Sequence, residues 1–405
     1  MASEKLTNDK PSPEFIPLIV PEISGNEWNY IKECLDTNWV SSVGSYVDRF
    51  EKMTAERAGC KYAVATVNGT AALHIALLLA GVERDDEVLV SSLTFIAPAN
   101  GIRYVGAWPV FIDAEPKYFQ LDPAAVVDFL ENDCRWDGQE LRNRRTGRRV
   151  KAILPVHILG HPVDLDPILE AAVKYALPVI EDATEGLGAR YRGKSLGSFG
   201  NAGCFSFNGN KIITTGGGGM LVTNDPKWAA RAKYLTTQAK DDPVEYVHNA
   251  IGYNYRLTNV LAAMGCAQIE QLDAFVTAKR AIATRYCDLL SDLPGVQLPE
   301  EADWAFSTYW MYTVLIDENA ANINSRDLLR ELTTVGIQTR PLWQPIHRSQ
   351  AHNPHSGPPC PVADRLYSQA ISLPCSVGLA PSAQDRVIEA ITHLFRNHSL
   401  PPMVR

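Results

Sequence analysis

From Tyr62 to Ile180 short apolar runs alternate with longer amphipathic ones, and this rhythm restricts the fold more than any other feature of the chain. Tyr62–Val67 reads as a buried strand and Thr70–Ala80 (TAALHIALLLA) as the helix that follows it. Glu87–Ser91, Pro109–Ile112, Lys151–His157 and Val179–Glu181 read as further strands. Phe95–Val105, Pro123–Leu130 behind the cap Asp122, and Pro167–Ala176 read as the helices between them. Strand–helix–strand units need crossover connections, so the pattern predicts an α/β fold with a mainly parallel sheet covered by helices on both faces. Cys204–Phe207 and Met220–Thr223 add two short strands around a glycine-rich segment, and Leu257–Leu290 carries long helical periodicity. After Pro294-Gly295 the texture changes to a smaller α+β unit. There Thr308–Ile316 and Ile337–Arg340 read as strands, Ser325–Val335 as a helix, and Ala383–Arg396 as a last helix capped by Ser382. The expected organisation is a flexible tail at 1–13, a large domain at 14–275 and a small C-terminal domain at 276–405.

Composition narrows the function classes. A chain of 405 residues with 46% hydrophobic residues can bury a large core without disulfide or metal staples. A net charge of −8 argues against nucleic acid or an anionic membrane as partner. No apolar run approaches the roughly 20 residues of a membrane span, and the polar tail does not read as a signal peptide. The eight cysteines form no C-x-x-C pair, so neither a zinc ribbon nor a dithiol centre is expected, and the expected setting is a reducing cytoplasm. His157 and His161 are separated by Gly160, and His347, His352 and His355 lie in a proline-rich loop, so no metal site is expected. Residues 135–149 hold six arginines around two turns. A solvated hairpin explains them better than a phosphate grip.

Several motifs could carry chemistry. Gly188 to Ser195 matches the phosphate-loop pattern G-x-x-x-x-G-K-[ST], but no helix-forming run follows, and a hairpin turn at Gly193-Lys194 accounts for it. Asn68-Gly69-Thr70 lies between a strand and an apolar helix, where free N–H groups make either an anion site or an ordinary cap. Asp182 ends an apolar strand at the edge where open α/β sheets bind ligands; a helix cap is the plainer alternative. Ser206 and Lys211 precede Gly216–Gly219, and a lysine held between a buried strand and a glycine-rich turn is suited to Schiff-base chemistry. Phe95 could stack on a planar ligand or pack into the core.

In this order the motifs resemble the fold-type-I pyridoxal-phosphate aminotransferases, and more closely the sugar-nucleotide aminotransferases of the DegT/DnrJ/EryC1/StrS family. The segments 39–51, Gly252 to Leu257, Thr339-Arg340-Pro341 and Pro345-Ile346-His347 extend the resemblance over about residues 16–396. Asn208-Gly209-Asn210-Lys211, with the arginine-rich insertion, looks most like the LegC-type branch, which makes 4-amino sugars. The resemblance implies pyridoxal 5'-phosphate as cofactor. Lys211 would carry it and move the proton, and Asp182 would pair with its pyridine nitrogen. Phe95 would stack on the ring, and Gly69, Thr70 and Ser206 would hold the phosphate. Asn254 would reach the phosphate from the partner subunit of a homodimer with shared sites. Glu185 stands where many members carry a glutamine near the phenolic oxygen. Ser41 and Arg340 are implied substrate contacts. The implied reaction passes an amino group from glutamate to a UDP-linked 2-acetamido-2,6-dideoxy-4-hexulose. A GDP-linked 4-keto sugar of the perosamine type and a dTDP-linked 3-keto sugar are the alternatives. Lys211 disfavours the lysine-less dehydratases of the same fold.

Overall fold

The computed structural model describes residues 15–242, 244–355 and 357–399, so the tail at 1–13 lies outside the described residues. Its central sheet runs in the order Trp108–Ile112, Glu87–Ser91, Arg149–Leu154, Ile180–Asp182, Ala202–Ser206, Gly219–Thr223, Tyr62–Thr66. Single parallel bridges, Ile153 with Val179 and Val156 with Asp182, join the two halves. Among these seven strands only Gly219–Thr223 runs antiparallel to its neighbours. The mainly parallel sheet expected from the sequence is therefore observed. Glu87–Ser91 is buried at every position, as a strand covered on both faces must be.

Local chemistry starts the helices. Asn68 Oδ1 accepts the Ala71 N–H at 2.7 Å and opens Gly69–Leu79. Asp122 Oδ1 accepts the Ala124 N–H at 2.9 Å and opens Pro123–Asp128. Because the strands run parallel, the turns after Thr66, Ser91, Asp182 and Ser206 leave the same edge of the sheet. The glycine-rich turn enters Gly219–Thr223 at that edge too, because this strand runs the other way.

Several boundaries differ from the sequence reading. The helix expected at Phe95–Val105 starts at Ala97, which leaves Phe95 on the turn before it. The periodicity of Leu257–Leu290 divides into helices Asn259–Glu270 and Leu272–Leu290 at Gln271, whose N–H turns back to Gln268 O. The second of these runs unbroken past residue 275. The strand expected at Thr308–Ile316 is confined to Tyr312–Ile316, because Tyr309 has a φ of 49° and bends the chain before it. Ile337–Arg340 makes only isolated bridges to Ile16 and Ser372. Ser382 is not a cap: the last helix begins at Pro381, which places Ser382 inside its first turn. Asn324 caps Ser325–Thr334 through its side chain.

The arginine-rich insertion is a hairpin, Cys134–Trp136 paired with Leu141–Asn143, added beside the start of Arg149–Leu154. Arg149 binds Asp86 at 2.7 Å, and Arg145 donates to Gly357 O at 3.2 Å. Thr146 donates to Glu87 at 2.9 Å. Asp86 and Glu87 lie at the start of their strand, at the sheet edge opposite the turns described above, whereas Gly357 packs on the Phe111 backbone near the other end. Among the described residues no helix is long and apolar enough to cross a membrane, and no group of three or more His, Cys, Asp or Glu side chains is placed to hold a metal.

Candidate active site

The turns at the carboxyl edge enclose a cavity of about 320 Å³. Gly69, Thr70, Phe95, Glu185, Ser206 and Lys211, six of the residues singled out in the sequence, line it. Asp182 lies beneath them, 2% exposed. Asn68 of the same motif and Thr184 line it too, and so do Trp310 and Trp343, which were not foreseen. Both tryptophans come from the small unit, far along the chain. The buried strand directly after Trp310 was the one available signal, and it reads equally well as core.

One end of the cavity suits an anion. The N-cap side chain of Asn68 takes the Ala71 N–H, and among the described residues the Gly69 and Thr70 N–H groups have no protein acceptor. A Cβ at Gly69 would stand 2.9 Å from Ser206 Cβ and 3.1 Å from Thr184 Cγ2, so a side chain there would fill the cradle. Ser206 Oγ faces the same turn and accepts the Asn208 N–H at 3.4 Å.

The other end is carboxylate-lined. Asp182 Oδ1 accepts the Thr184 N–H at 3.0 Å, and the Asp182 main chain bridges Pro155 and His157. Burial raises the Asp182 carboxyl above the usual carboxylate range, against the pull of the Thr184 hydrogen bonds and the Lys211 charge. Glu185 Oε2 accepts the Leu159 N–H at 2.9 Å, and its Oε1 lies 3.3 Å from Lys211 Nζ. Burial raises Glu185 as well, and Lys211 opposes it. Beneath both, His157 Nδ1 accepts the Val163 N–H, so its other nitrogen carries the proton directed at Glu181. Glu181 accepts N–H bonds from Gly197, Phe199 and Gly200 and ties that turn to the floor of the site.

Lys211 is held from two sides. Its Nζ lies 4.3 Å from the centre of the Trp310 ring, opposite the Glu185 carboxylate. The Trp310 indole N–H donates to Asn210 O at 2.8 Å, which fixes the turn that carries the lysine.

Ser41, Asn254 and Arg340 are not brought into this cavity. All three are exposed. Ser41 O accepts the Asn259 N–H at 2.6 Å, Asn254 bridges to Thr237, and Arg340 donates to Thr339 O at 3.2 Å. The phosphate-loop match ends as the sequence suggested, in the hairpin Arg190–Tyr191 with Lys194–Ser195, turned by Gly193 at a φ of 80°.

Comparison with known proteins finds similar chains of one family. The model of the DegT/DnrJ/EryC1/StrS aminotransferase family matches residues 21–392. EpsN of Bacillus subtilis (strain 168) is 41% identical, over 94% of this chain and 96% of its own. The GDP-perosamine synthase of Caulobacter vibrioides is 40% identical, over 94% of this chain and 98% of its own. The crystal structure of the aminotransferase TlmJ from Streptoalloteichus hindustanus superposes with a TM-score of 0.86. It has 28% identity and covers 95% of this chain and 100% of TlmJ.

Proposed function

The chain belongs to the DegT/DnrJ/EryC1/StrS aminotransferase family, a family of pyridoxal phosphate-dependent sugar aminotransferases, and from that premise we propose that it transfers an amino group from glutamate to C4 of a nucleotide-linked 4-keto-6-deoxyhexose. The single observation that carries this reading is the placement of Lys211 Nζ beside Glu185 and above the buried Asp182, in a cavity whose far end is an unoccluded helix N-terminus.

The residues fit pyridoxal 5'-phosphate. A cradle closed by Gly69 and Ser206 offers N–H and hydroxyl donors to a dianion, and a buried carboxylate sits at a strand end to face a pyridinium. When bound, this cofactor supplies an electron sink that stabilises negative charge on the carbon losing a proton. Asp182 keeps the pyridine nitrogen protonated, and its own buried carboxylate gains a partner by doing so. Lys211 would carry the cofactor, and its amine is the base that would move the proton for the amino donor and for the sugar. Gly69, Thr70 and Ser206 hold the phosphate, and Phe95, 55% exposed on its turn, covers the ring. Glu185 would stand near the phenolic oxygen. Asn254 reaches the phosphate of a partner subunit, and Ser41 and Arg340 meet the nucleotide sugar.

Likeness to a GDP-perosamine synthase supports GDP as the nucleotide, the reading held second on the sequence alone. The UDP reading leaned in part on the branch-like arginine-rich insertion. Arg149 is engaged by Asp86 at the opposite edge of the sheet, and Arg145 by the Gly357 carbonyl. The test is kcat/KM for GDP-, UDP- and dTDP-linked keto sugars with glutamate as donor. GDP should lead by at least tenfold, about 1.4 kcal/mol. A lead for UDP or dTDP overturns the nucleotide, and no turnover with any of them overturns the reaction.

A further inference from the structure

Lys279, inside the helix Leu272–Leu290, is 1% exposed and takes no part in the proposed chemistry. A buried lysine normally faces a carboxylate. Here Nζ donates to Cys375 O and lies 3.4 Å from Cys375 Sγ, and among the described residues these are its polar partners. Burial holds the Lys279 amine below the ordinary lysine value, which enlarges its neutral, nucleophilic fraction. Cys375 Sγ also lies 3.7 Å from Met311 Sδ. Met311 in turn lines a separate cavity of about 20 Å³, with room for about one water-sized molecule. The lining of that cavity includes Lys117 and Glu300, an ion pair about half exposed to solvent, so the cavity lies close to the surface.

We infer that Lys279 and Cys375 form a peroxide-sensitive pair that closes into a covalent sulfur–nitrogen cross-link between the long helix and the segment after strand Ala370–Leu373. The oxidant is hydrogen peroxide. Attack of the Cys375 sulfur on one peroxide oxygen breaks the O–O bond, releases water and leaves a sulfenic acid. The neutral Lys279 amine then attacks that sulfur, the S–O bond breaks, and hydroxide leaves with the amine's proton as a second water. One peroxide is reduced to two waters, and the pair loses two hydrogens. The cross-link ties residues 279 and 375 together and restricts the unfolded chain between them, so it raises thermal stability. A thiol reductant attacks the sulfur, regenerating the amine and, with a second thiol equivalent, the cysteine.

The experiment treats the full-length, cofactor-loaded protein with hydrogen peroxide, digests it without reductant and maps it by mass spectrometry. The expected product is the Lys279 peptide joined to the Cys375 peptide at their summed mass less two hydrogens. It should disappear with dithiothreitol and be absent from Cys375→Ser and Lys279→Met. The treated wild type should melt at a higher temperature than the untreated protein. In Lys279→Met, Cys375 should instead accumulate as a sulfenic acid captured by dimedone. Cys375→Ser is nearly isosteric, and its retained activity shows that the fold survives. Wild-type Cys375 that stays a free thiol, or that dimedone traps as fully as in Lys279→Met, overturns the inference.

Discussion

Lys211 Nζ lies 3.3 Å from Glu185 Oε1, a carboxylate 5% exposed whose second oxygen is fixed by the Leu159 N–H. A negative charge in that position favours the protonated form of whatever nitrogen Lys211 forms with the cofactor. Glu185→Gln keeps the Leu159 hydrogen bond and removes the charge. The absorbance transition of the bound cofactor should therefore move to lower pH in Glu185→Gln, as a spectrophotometric titration would read. An unchanged or upward transition contradicts a charged Glu185 at this place.

Asp182→Asn separates catalysis from stability. Oδ1 can still accept the Thr184 N–H, so the local fold is retained. Losing the partner of a buried charge costs about 3–5 kcal/mol, roughly 10²–10⁴ in rate. Both half-reactions should slow on that scale in stopped-flow measurements.

The same substitution should stabilise the cofactor-free protein. Burial raises the folded Asp182 carboxyl above its unfolded value, so the folded state binds the extra proton between the two. The stability it contributes is complete below the unfolded pKa and is lost as pH rises toward the raised one. Asn does not titrate. Urea unfolding of cofactor-free protein should show Asp182→Asn gaining on wild type as pH rises above the ordinary carboxylate range. A gap that narrows with rising pH contradicts this.

Gly69→Ala places a methyl 2.9 Å from Ser206 Cβ and 3.3 Å from Phe205 O, in the cradle assigned to the phosphate. Overpacking of this kind costs about 1–3 kcal/mol. Cofactor affinity, followed by fluorescence, should fall roughly tenfold or more. Wild-type affinity would remove the phosphate from this end of the cavity.

The outer surface carries apolar groups of the kind that mark an interface. Ile251 is 85% exposed, Trp39 57% and Val43 68%. The loop holding Trp39 and Val43 is tied to Asn259, shortly after Asn254 in the chain, by the Asn259 side-chain amide, which donates to Trp39 O at 2.7 Å. A homodimer joined here, with Asn254 entering the partner's site, predicts complementation. Lys211→Ala and Asn254→Ala protein, each impaired alone, should regain activity when mixed and re-associated, because one hybrid site is intact. Full activity of a dilute monomer in analytical ultracentrifugation contradicts it.

The sequence showed the sheet because buried parallel strands are continuous apolar runs. Glu87–Ser91 matches residue for residue, Asp182 ends such a run, and Lys211 sits on the turn that follows another. Helices Glu27–Asp36 and Ser45–Ala58 were not legible. The first buries only Glu27 and Cys34, and the second turns polar Glu51 and Thr54 inward. Glu51 is held there by the Arg256 guanidinium at 2.6 Å, a pairing that no local pattern announces. Trp310 and Trp343 were missed for a similar reason. They reach the cavity through the return of the small unit over the sheet edge, and periodicity reports only a residue's own element.

The central claim is that Lys211 carries the cofactor, and borohydride reduction tests it most directly. Holoenzyme reduced with borohydride and digested should yield one pyridoxyl-labelled peptide, with the label on Lys211, and Lys211→Ala should yield none. A label on Lys194 or Lys279, or no label on the wild-type protein, would contradict the account.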